Sequence, residues 1–218
     1  MNPERFWILG AGRFGRLAVE RITRHIPCAT LTVVDRDPSA GAAAGIRTIT
    51  RDGIEWLYTM LAPNAGVDWI VPAIPVHVAA AWLKCKLAAE YRVIPARIPD
   101  ASTIPMPNAH LGEDGRLYVS HADFICPDNC PEPEKVCTHT GKPRPKDLYR
   151  ILEDMDFEAF LPVVLHSHQL YPGVGGIRPA DLMDALNACR QHSSHRPLMI
   201  ATACRCHGVV DFIRLEKN

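Results

Sequence analysis

The sequence predicts an α/β fold, a Rossmann-like, mostly parallel sheet followed by a smaller Cys/His-rich α/β region. Three observations carry that reading. The first is Gly10-Ala11-Gly12-Arg13-Phe14-Gly15, set between an apolar stretch (Trp7-Ile8-Leu9) and a run of Phe14, Leu17, Ala18 and Ile22 at helical spacing. The second is another apolar stretch, Thr30 to Val34, that ends in the acid Asp35. The third is the alternation of strand-like and helix-like segments that continues to Ile94, which argues for a parallel sheet covered by helices.

Each element has its own signal. The first helix is expected over Arg13 to His25, because Pro27 forbids its continuation. Asp37-Pro38 reads as an N-cap with proline at the first helical position, opening a short Ala-rich helix that closes at Gly45. Ile46 to Thr50 is a third strand. Asp52 caps the next helix, whose expected buried stripe is Ile54, Leu57, Tyr58 and Leu61. Asp68 to Val71 is a fourth strand. A helix from about Val76 to Glu90 places Val78, Trp82, Cys85 and Ala89 on one face, which makes Cys85 a core residue. Tyr91 to Ile94 is a fifth strand. Cys28 reads as a small apolar filler.

The glycines give the first half its chemistry. Between a strand and a helix, Gly10 permits a tight turn, Gly12 lets backbone approach a pyrophosphate, and Gly15 lets strand and helix pack closely. The helix N-terminus offers N–H groups and partial positive charge to the phosphates. Asp35 stands where a carboxylate meets the adenosine ribose hydroxyls, which favours NAD(H), because a 2′-phosphate would be repelled. Arg36 beside it leaves room for NADP(H). The expected cofactor set is therefore Gly10, Gly12, Arg13, Phe14, Gly15, Asp35 and Arg36.

Ile8 to Gly15, together with Val33-Val34-Asp35-Arg36-Asp37-Pro38, resembles the NAD-binding domain of the regulatory subunits of Trk-type potassium uptake systems, the RCK fold. The resemblance covers roughly the first third of the chain. It implies a Rossmann core with Gly10, Gly12, Gly15 and Asp35 in the cofactor roles, and, by analogy, pairing of two chains. It does not imply potassium transport, because such motifs recur across many dinucleotide-binding proteins.

Composition narrows the class. Lys plus Arg and Asp plus Glu are 24 each, and no Lys/Arg run stands out, so nucleic acid is not an expected partner. No stretch reads as a transmembrane helix or a signal peptide, so a cytoplasmic protein is expected, with no membrane insertion. In that compartment eight cysteines are thiols or metal ligands rather than disulfides. Cys, His and Pro all concentrate late, which places the boundary between two domains at 98/99.

The second half opens with a proline-rich, extended stretch from Pro95 to Pro107. Asp114-Gly115 suggests a hairpin with Arg116 to Ser120 as its second strand. Then Cys126, Cys130 and Cys137 fall in a short loop whose prolines keep it from becoming helix or strand. Such a loop gains order from a metal, and thiolates suit zinc or an iron–sulfur cluster. Cys204-Arg205-Cys206-His207 can complete the site; on an extended chain Cys204 and Cys206 would share a side. Leu161 to Leu165 is a strand running into His166-Ser167-His168, whose imidazoles also share a face. Tyr171 to Gly176 reads as a flexible loop. Pro179 opens a helix with Leu182, Ala185, Leu186 and Cys189 inward, and Pro197 to Thr202 and Val209 to Leu215 are strands. Strand, helix and strand make a βαβ unit. The 161–168 and 198–204 strands should then be parallel, with His166, His168, Cys204 and Cys206 at one edge.

Two functions compete on these residues. One is an oxidoreductase coupling NAD(H) to a metal held by Cys126, Cys130, Cys137 and Cys204 or Cys206, with His77 (at the carboxyl end of the fourth strand) and His168 as acid/base candidates. The other is a non-enzymatic redox sensor, in which NAD(H) in the first domain biases the second, the metal is structural, and the partner is a protein.

Overall fold

The glycine-rich turn sits at the carboxyl end of a parallel sheet, and a second sheet folds back against it. The computed structural model describes residues 3–37, 46–98, 104–155, 159–192 and 196–217. The first sheet contains β1 (Arg5–Leu9), β2 (Thr30–Asp35), β3 (Arg47–Thr50) and β4 (Trp69–Pro72), in the order β3-β2-β1-β4. Every pairing in it is parallel. Helices α1 (Arg13–His25), α2 (Gly53–Met60) and α3 (Val78–Leu87) follow β1, β3 and β4. The expected Ala-rich helix before β3 lies largely outside the described residues.

Local signals explain these elements. β1 is buried from Phe6 to Leu9, as a strand covered on both faces must be. The Asp52 carboxylate caps α2 by accepting from the N–H groups of Ile54 and Glu55, 2.9 Å each. On α1 the buried residues are Gly15, Ala18 and Ile22, while Phe14 is exposed. On α2 they are Gly53, Trp56 and Leu57, with Leu61 buried just past its end and Tyr58 exposed.

The second sheet is mixed. Its strands are β6 (His110–Leu111), β7 (Leu117–Ser120), β12 (His207–Lys217), β11 (Leu198–Ala203) and β8 (Leu161–His166), in that order. β5 (Tyr91–Pro95), expected to follow the first sheet, instead pairs antiparallel with the far end of β12. β12 is long enough to take β7 along one part of its edge and β5 along the rest. β8 and β11 are parallel, with Leu161 opposite Leu198 and His166 opposite Ala203, as the βαβ pattern requires. Between them runs α5 (Pro179–Gln191), whose buried face is Leu182, Ala185, Leu186 and Cys189.

Alternation divides the second sheet between two cores. Val163, Leu165, Leu198, Ile200, Ile213 and Leu215 turn to one face and join Leu9, Trp56 and Trp82 in the core shared with the first sheet. Met199, Ala201, Val210 and Phe212 turn to the other, toward α4 (Leu148–Glu153), which contributes Leu148 and Leu152. Helix α3 is packed between the sheets, so Val78, Ala79, Ala80, Trp82, Leu83 and Leu87 are all buried. That wide buried face leaves Cys85 exposed rather than in the core; Cys28 is exposed as well. Residues 171–176 are no flexible loop: β9 (His168–Tyr171) and β10 (Val174–Gly176) form an antiparallel hairpin. Ile70 and Ile177 exchange backbone hydrogen bonds of 2.9 and 2.8 Å, tying the chain just after that hairpin to β4. Among the described residues no helix is long and apolar enough to cross a membrane.

Candidate functional site

The glycine turn has the stereochemistry that its sequence suggests. Gly10 has φ +104°, and a Cβ there would lie 2.6 Å from the Ala73 carbonyl oxygen. A Cβ on Gly15 would collide with the Gly10 carbonyl. Gly12 is different, since a Cβ there would meet no atom within 4 Å. Its space is free on the side where backbone can approach a ligand. As N-cap of α1, Gly12 supplies no side-chain hydrogen bond, and the first turn holds no acid, so the helix end keeps its positive character. Asp35 lies across the turn, accepting from the N–H of Ala11 at 2.6 Å and from that of Asp37 at 2.9 Å. Arg36 turns away to Asp52, gripping it through Nε at 2.9 Å and through Nη2.

A cavity of about 780 Å3 opens beside this turn. Phe14 forms part of its wall, which accounts for an aromatic ring left 48% exposed on an otherwise buried helix stripe. Across from it stand Cys126, Cys130, Cys204, Cys206 and His207. The thiol loop is fixed at two points, the first of them to the first half. Arg13 Nη2 donates to Asp128 Oδ2, between Cys126 and Cys130. Gly173, at φ +69°, has the Asp128 carbonyl where a Cβ would be, so the β9–β10 hairpin packs directly on the loop. Gln169 adds a side-chain hydrogen bond to the Cys130 carbonyl, 2.7 Å.

The cysteines come from three segments. Cys204 and Cys206 lie in the tight turn between β11 and β12 rather than on extended chain: Cys204 N–H donates to the His207 carbonyl at 2.9 Å. Within that turn the Cys204 sulfur accepts from the N–H groups of Cys206 and His207, at 3.3 and 3.4 Å. Cys137 opens a similar turn, closed by Gly141 at φ +68°. The Thr140 hydroxyl and the N–H groups of Thr140 and His139 hold the Cys137 thiol below its ordinary pKa. Burial pushes Cys126 up, and the charges of Cys130 and Cys137 push it further. Burial takes Cys206 to about 11, against the lowering influence of Arg144; Glu132, Cys126 and Cys130 add to the rise. Cys204 reaches about 12 through burial and the Glu132 carboxylate. Cys126, Cys130 and Cys206 thus share a cavity wall and influence one another, and Cys137 acts on Cys126. Among the described residues no three His, Cys, Asp or Glu side chains stand in finished metal-binding geometry.

The histidine candidates lie elsewhere. His77 is buried, 4% exposed, as N-cap of α3. Its Nδ1 pairs with Asp211 Oδ2 at 2.7 Å and its Nε2 with Thr202 Oγ1 at 2.9 Å. Thr202 and Asp211 point toward α3 because they alternate with residues of the other core face. Lys84 also reaches Asp211, at 2.5 Å. Burial raises the Asp211 carboxyl, but hydrogen bonds from His77 and Lys84 overcome this and hold it at about 2. Burial lowers His77 in spite of Asp211, so the ring is neutral, with Nδ1–H donating to the carboxylate and Nε2 accepting from Thr202. His77 is therefore part of an inter-sheet polar lock and does not line the cavity beside the glycine-rich turn.

His166 and His168 are indeed neighbours, their rings 4.0 Å apart. Neither lines the cavity; Ser167 and Gln169, the alternate residues, do. His166 stacks on Tyr149 of α4 at 3.9 Å, and burial, with the neighbouring His168 charge, lowers it to about 4. His168 lies edge-on to Trp69, with Asp181 at 3.7 Å. The edge follows from topology, whereas the face depends on which side of β8 meets α4. Sequence reading also passed over Asp128, whose position between two cysteines was the available signal, and Asp211, Thr202 and Arg144, for which it offered none.

The fold and this seam define a two-sheet α/β protein in which a glycine-rich turn and a thiol-lined cavity share a border. The chain belongs to the family whose model, described as "Uncharacterized protein, C-terminal domain", matches residues 79–216, from α3 to the end of β12. It is also similar to an "Uncharacterized protein" of Archaeoglobus fulgidus, 27% identical over 223 residues, covering 95% of this chain and 98% of the relative. No solved structure matches.

Proposed function

We propose that the chain is an NAD(H)-binding regulatory protein whose thiol-rich second half, built around a cysteine-held metal, responds to the dinucleotide. The observation behind this reading is the Arg13–Asp128 pair, which joins the glycine turn to the loop between Cys126 and Cys130. The pyrophosphate would lie at the α1 N-terminus over Gly12, and the adenosine ribose would meet Asp35. Arg13, in the first turn of α1, would then be shared between the phosphates and Asp128. Occupancy of the first half is thereby felt at the thiols. The partner that reads this change would be a protein or a second copy of the chain.

A second reading, an NAD(H)-dependent oxidoreductase, draws on the size of the cavity beside Phe14. It is the weaker of the two, because the acid/base candidates His77 and His168 are both turned away from that cavity. Titration of the metal-loaded chain with NADH and NAD+, followed by calorimetry, tests the shared premise; no saturable binding of either sinks both readings. Steady consumption of NADH with an added carbonyl or electron acceptor would replace the regulator with the enzyme.

A further inference from the structure

One edge of the half-buried Arg144 guanidinium has nothing to donate to. Its Nε and Nη2 are buried and have no hydrogen-bond partner. These two groups form one edge of the guanidinium. Elsewhere in this protein the same edge grips a carboxylate: Arg190 holds Glu90 through Nε at 3.1 Å and Nη2 at 2.5 Å, and Arg36 holds Asp52 in the same way. A buried donor without an acceptor costs roughly 1–3 kcal/mol, and more when it is charged. An acceptor is therefore missing beside Arg144.

The neighbourhood says what kind. Cys126, Cys130 and Cys206 line one cavity. Arg205, next to Cys206, binds Glu132 through its N–H and Glu134 through Nη2, which ties the segment leading into the Cys137 turn, and Arg144 behind it, to that side. The Arg144 charge accordingly lowers Cys126, Cys137 and Cys206. Cys130 belongs to the same group through its influence on Cys126 and Cys206. The backbone presents Arg144 there: its N–H bonds to the Lys135 carbonyl at 2.9 Å, next to the bridge between Val136 and Pro143 that closes the Cys137 turn. Cys204 is engaged otherwise, since its sulfur accepts from the N–H groups of Cys206 and His207 inside its own turn.

We infer that Cys126, Cys130, Cys137 and Cys206 close as four thiolates around one soft divalent cation, zinc in the simplest case, and that the orphaned edge of Arg144 donates to their sulfurs as counter-charge. This rests on the cysteine-held metal of the proposed function and adds its ligand set and its partner. Four thiolates outweigh a divalent cation, and a half-buried anionic centre needs a positive neighbour. Arg is suited to that task because its fork stays charged and donates two parallel hydrogen bonds. Arg144 is here a positioning residue and not a ligand.

The test uses the full chain purified without oxygen and loaded with zinc. Metal content is measured first, then zinc release to a chromophoric chelator, then the charge-transfer bands of the cobalt-substituted protein. About one zinc per chain is expected. R144Q should give up zinc roughly 10–100-fold more readily, the usual range for an outer partner of a metal ligand. Its cobalt bands should move to lower energy, because sulfurs relieved of two donors are more electron-rich; R144K should fall between. A spectroscopic shift separates this role from a purely structural one, and far-UV circular dichroism in excess zinc checks that the variants are folded. C206S should lose the metal and C204S keep it. Wild-type protein that is folded and binds no zinc overturns both this inference and the metal in the proposed function. Zinc-loaded wild type with R144Q unchanged in release and spectrum overturns the Arg144 role alone. C204S losing zinc while C206S retains it overturns the ligand set.

Discussion

Arg13 in the first turn of α1 is ion-paired with Asp128, 115 residues later, in the loop that holds Cys126 and Cys130. Both side chains are largely exposed, 76% and 42%, so the pair adds little to stability, on the order of 1 kcal/mol or less. Its importance is positional. On the proposed reading, D128N removes a carboxylate from beside the N-terminus of α1 and should tighten NADH binding by up to about fivefold, whereas R13A should weaken it. Calorimetric titration of both variants decides the matter, and equal affinities for all three proteins would disprove the coupling.

The glycines of the turn divide into two kinds. G12A meets no protein atom, so the fold should melt as the wild type does, and with the pyrophosphate over Gly12 as proposed NADH affinity should fall by about tenfold or more. G10A forces a Cβ against the Ala73 carbonyl at positive φ and should cost about 2 kcal/mol of stability. Thermal melts paired with binding curves check both. A G12A protein that binds NADH normally would remove the dinucleotide from this turn.

Gly173 provides a way to loosen the cysteine loop from the β9–β10 hairpin. G173A drives a methyl group into the Asp128 carbonyl and should displace the cysteine loop. Faster zinc loss with a nearly unchanged circular dichroism spectrum is the expected result. Unchanged zinc release would mean that the hairpin does not hold that loop in place.

The buried histidines fix a pH dependence. His77 faces Asp211, Thr202, Lys84 and Arg116, and burial lowers its pKa from 6.5. His166, half-buried against Tyr149, is lowered from 6.5 to about 4. A lowered imidazole takes up protons more readily unfolded than folded, so stability is full above about pH 6.5 and declines as pH falls through that value. For His166 the loss continues to about 4. Asp211, held at about 2 against an ordinary 3.8, contributes above 3.8 and gives its share up only below that. Urea midpoints should therefore drop between about pH 7.5 and about pH 5, and H77Q should flatten part of the slope. A midpoint constant across that window would contradict the burial of both rings.

Breaking the inter-sheet lock should be costly wherever Asp211 is ionised. D211N leaves Lys84 and Arg116 without their shared negative charge and His77 with a neutral amide oxygen in place of a carboxylate. A loss of about 3 kcal/mol is expected, measurable by urea denaturation at neutral pH. A loss under about 1 kcal/mol would show the cluster to be well hydrated.

What the sequence determined by itself was local. The span of α1, the tight turns at Gly10 and Gly15, the parallel β8–β11 pair and the inward face of α5 all follow from periods of two or 3.6 residues and from glycine and proline chemistry. Tertiary structure decided the rest. β5 reads as one more strand of the first sheet, yet β12, 11 residues long, offers it a free edge in the second. Apolar alternation is the same for either partner, so no local signal separates them. His166 and His168 share a face on any extended chain, but whether that face meets a cavity or α4 depends on an element that sequence patterning did not announce. His77 finds Asp211 134 residues away, and Arg144 finds three thiols from separate turns. Such partners are chosen by the packing of whole sheets, an energy spread over many apolar contacts, which a single polar residue and its sequence neighbours do not encode.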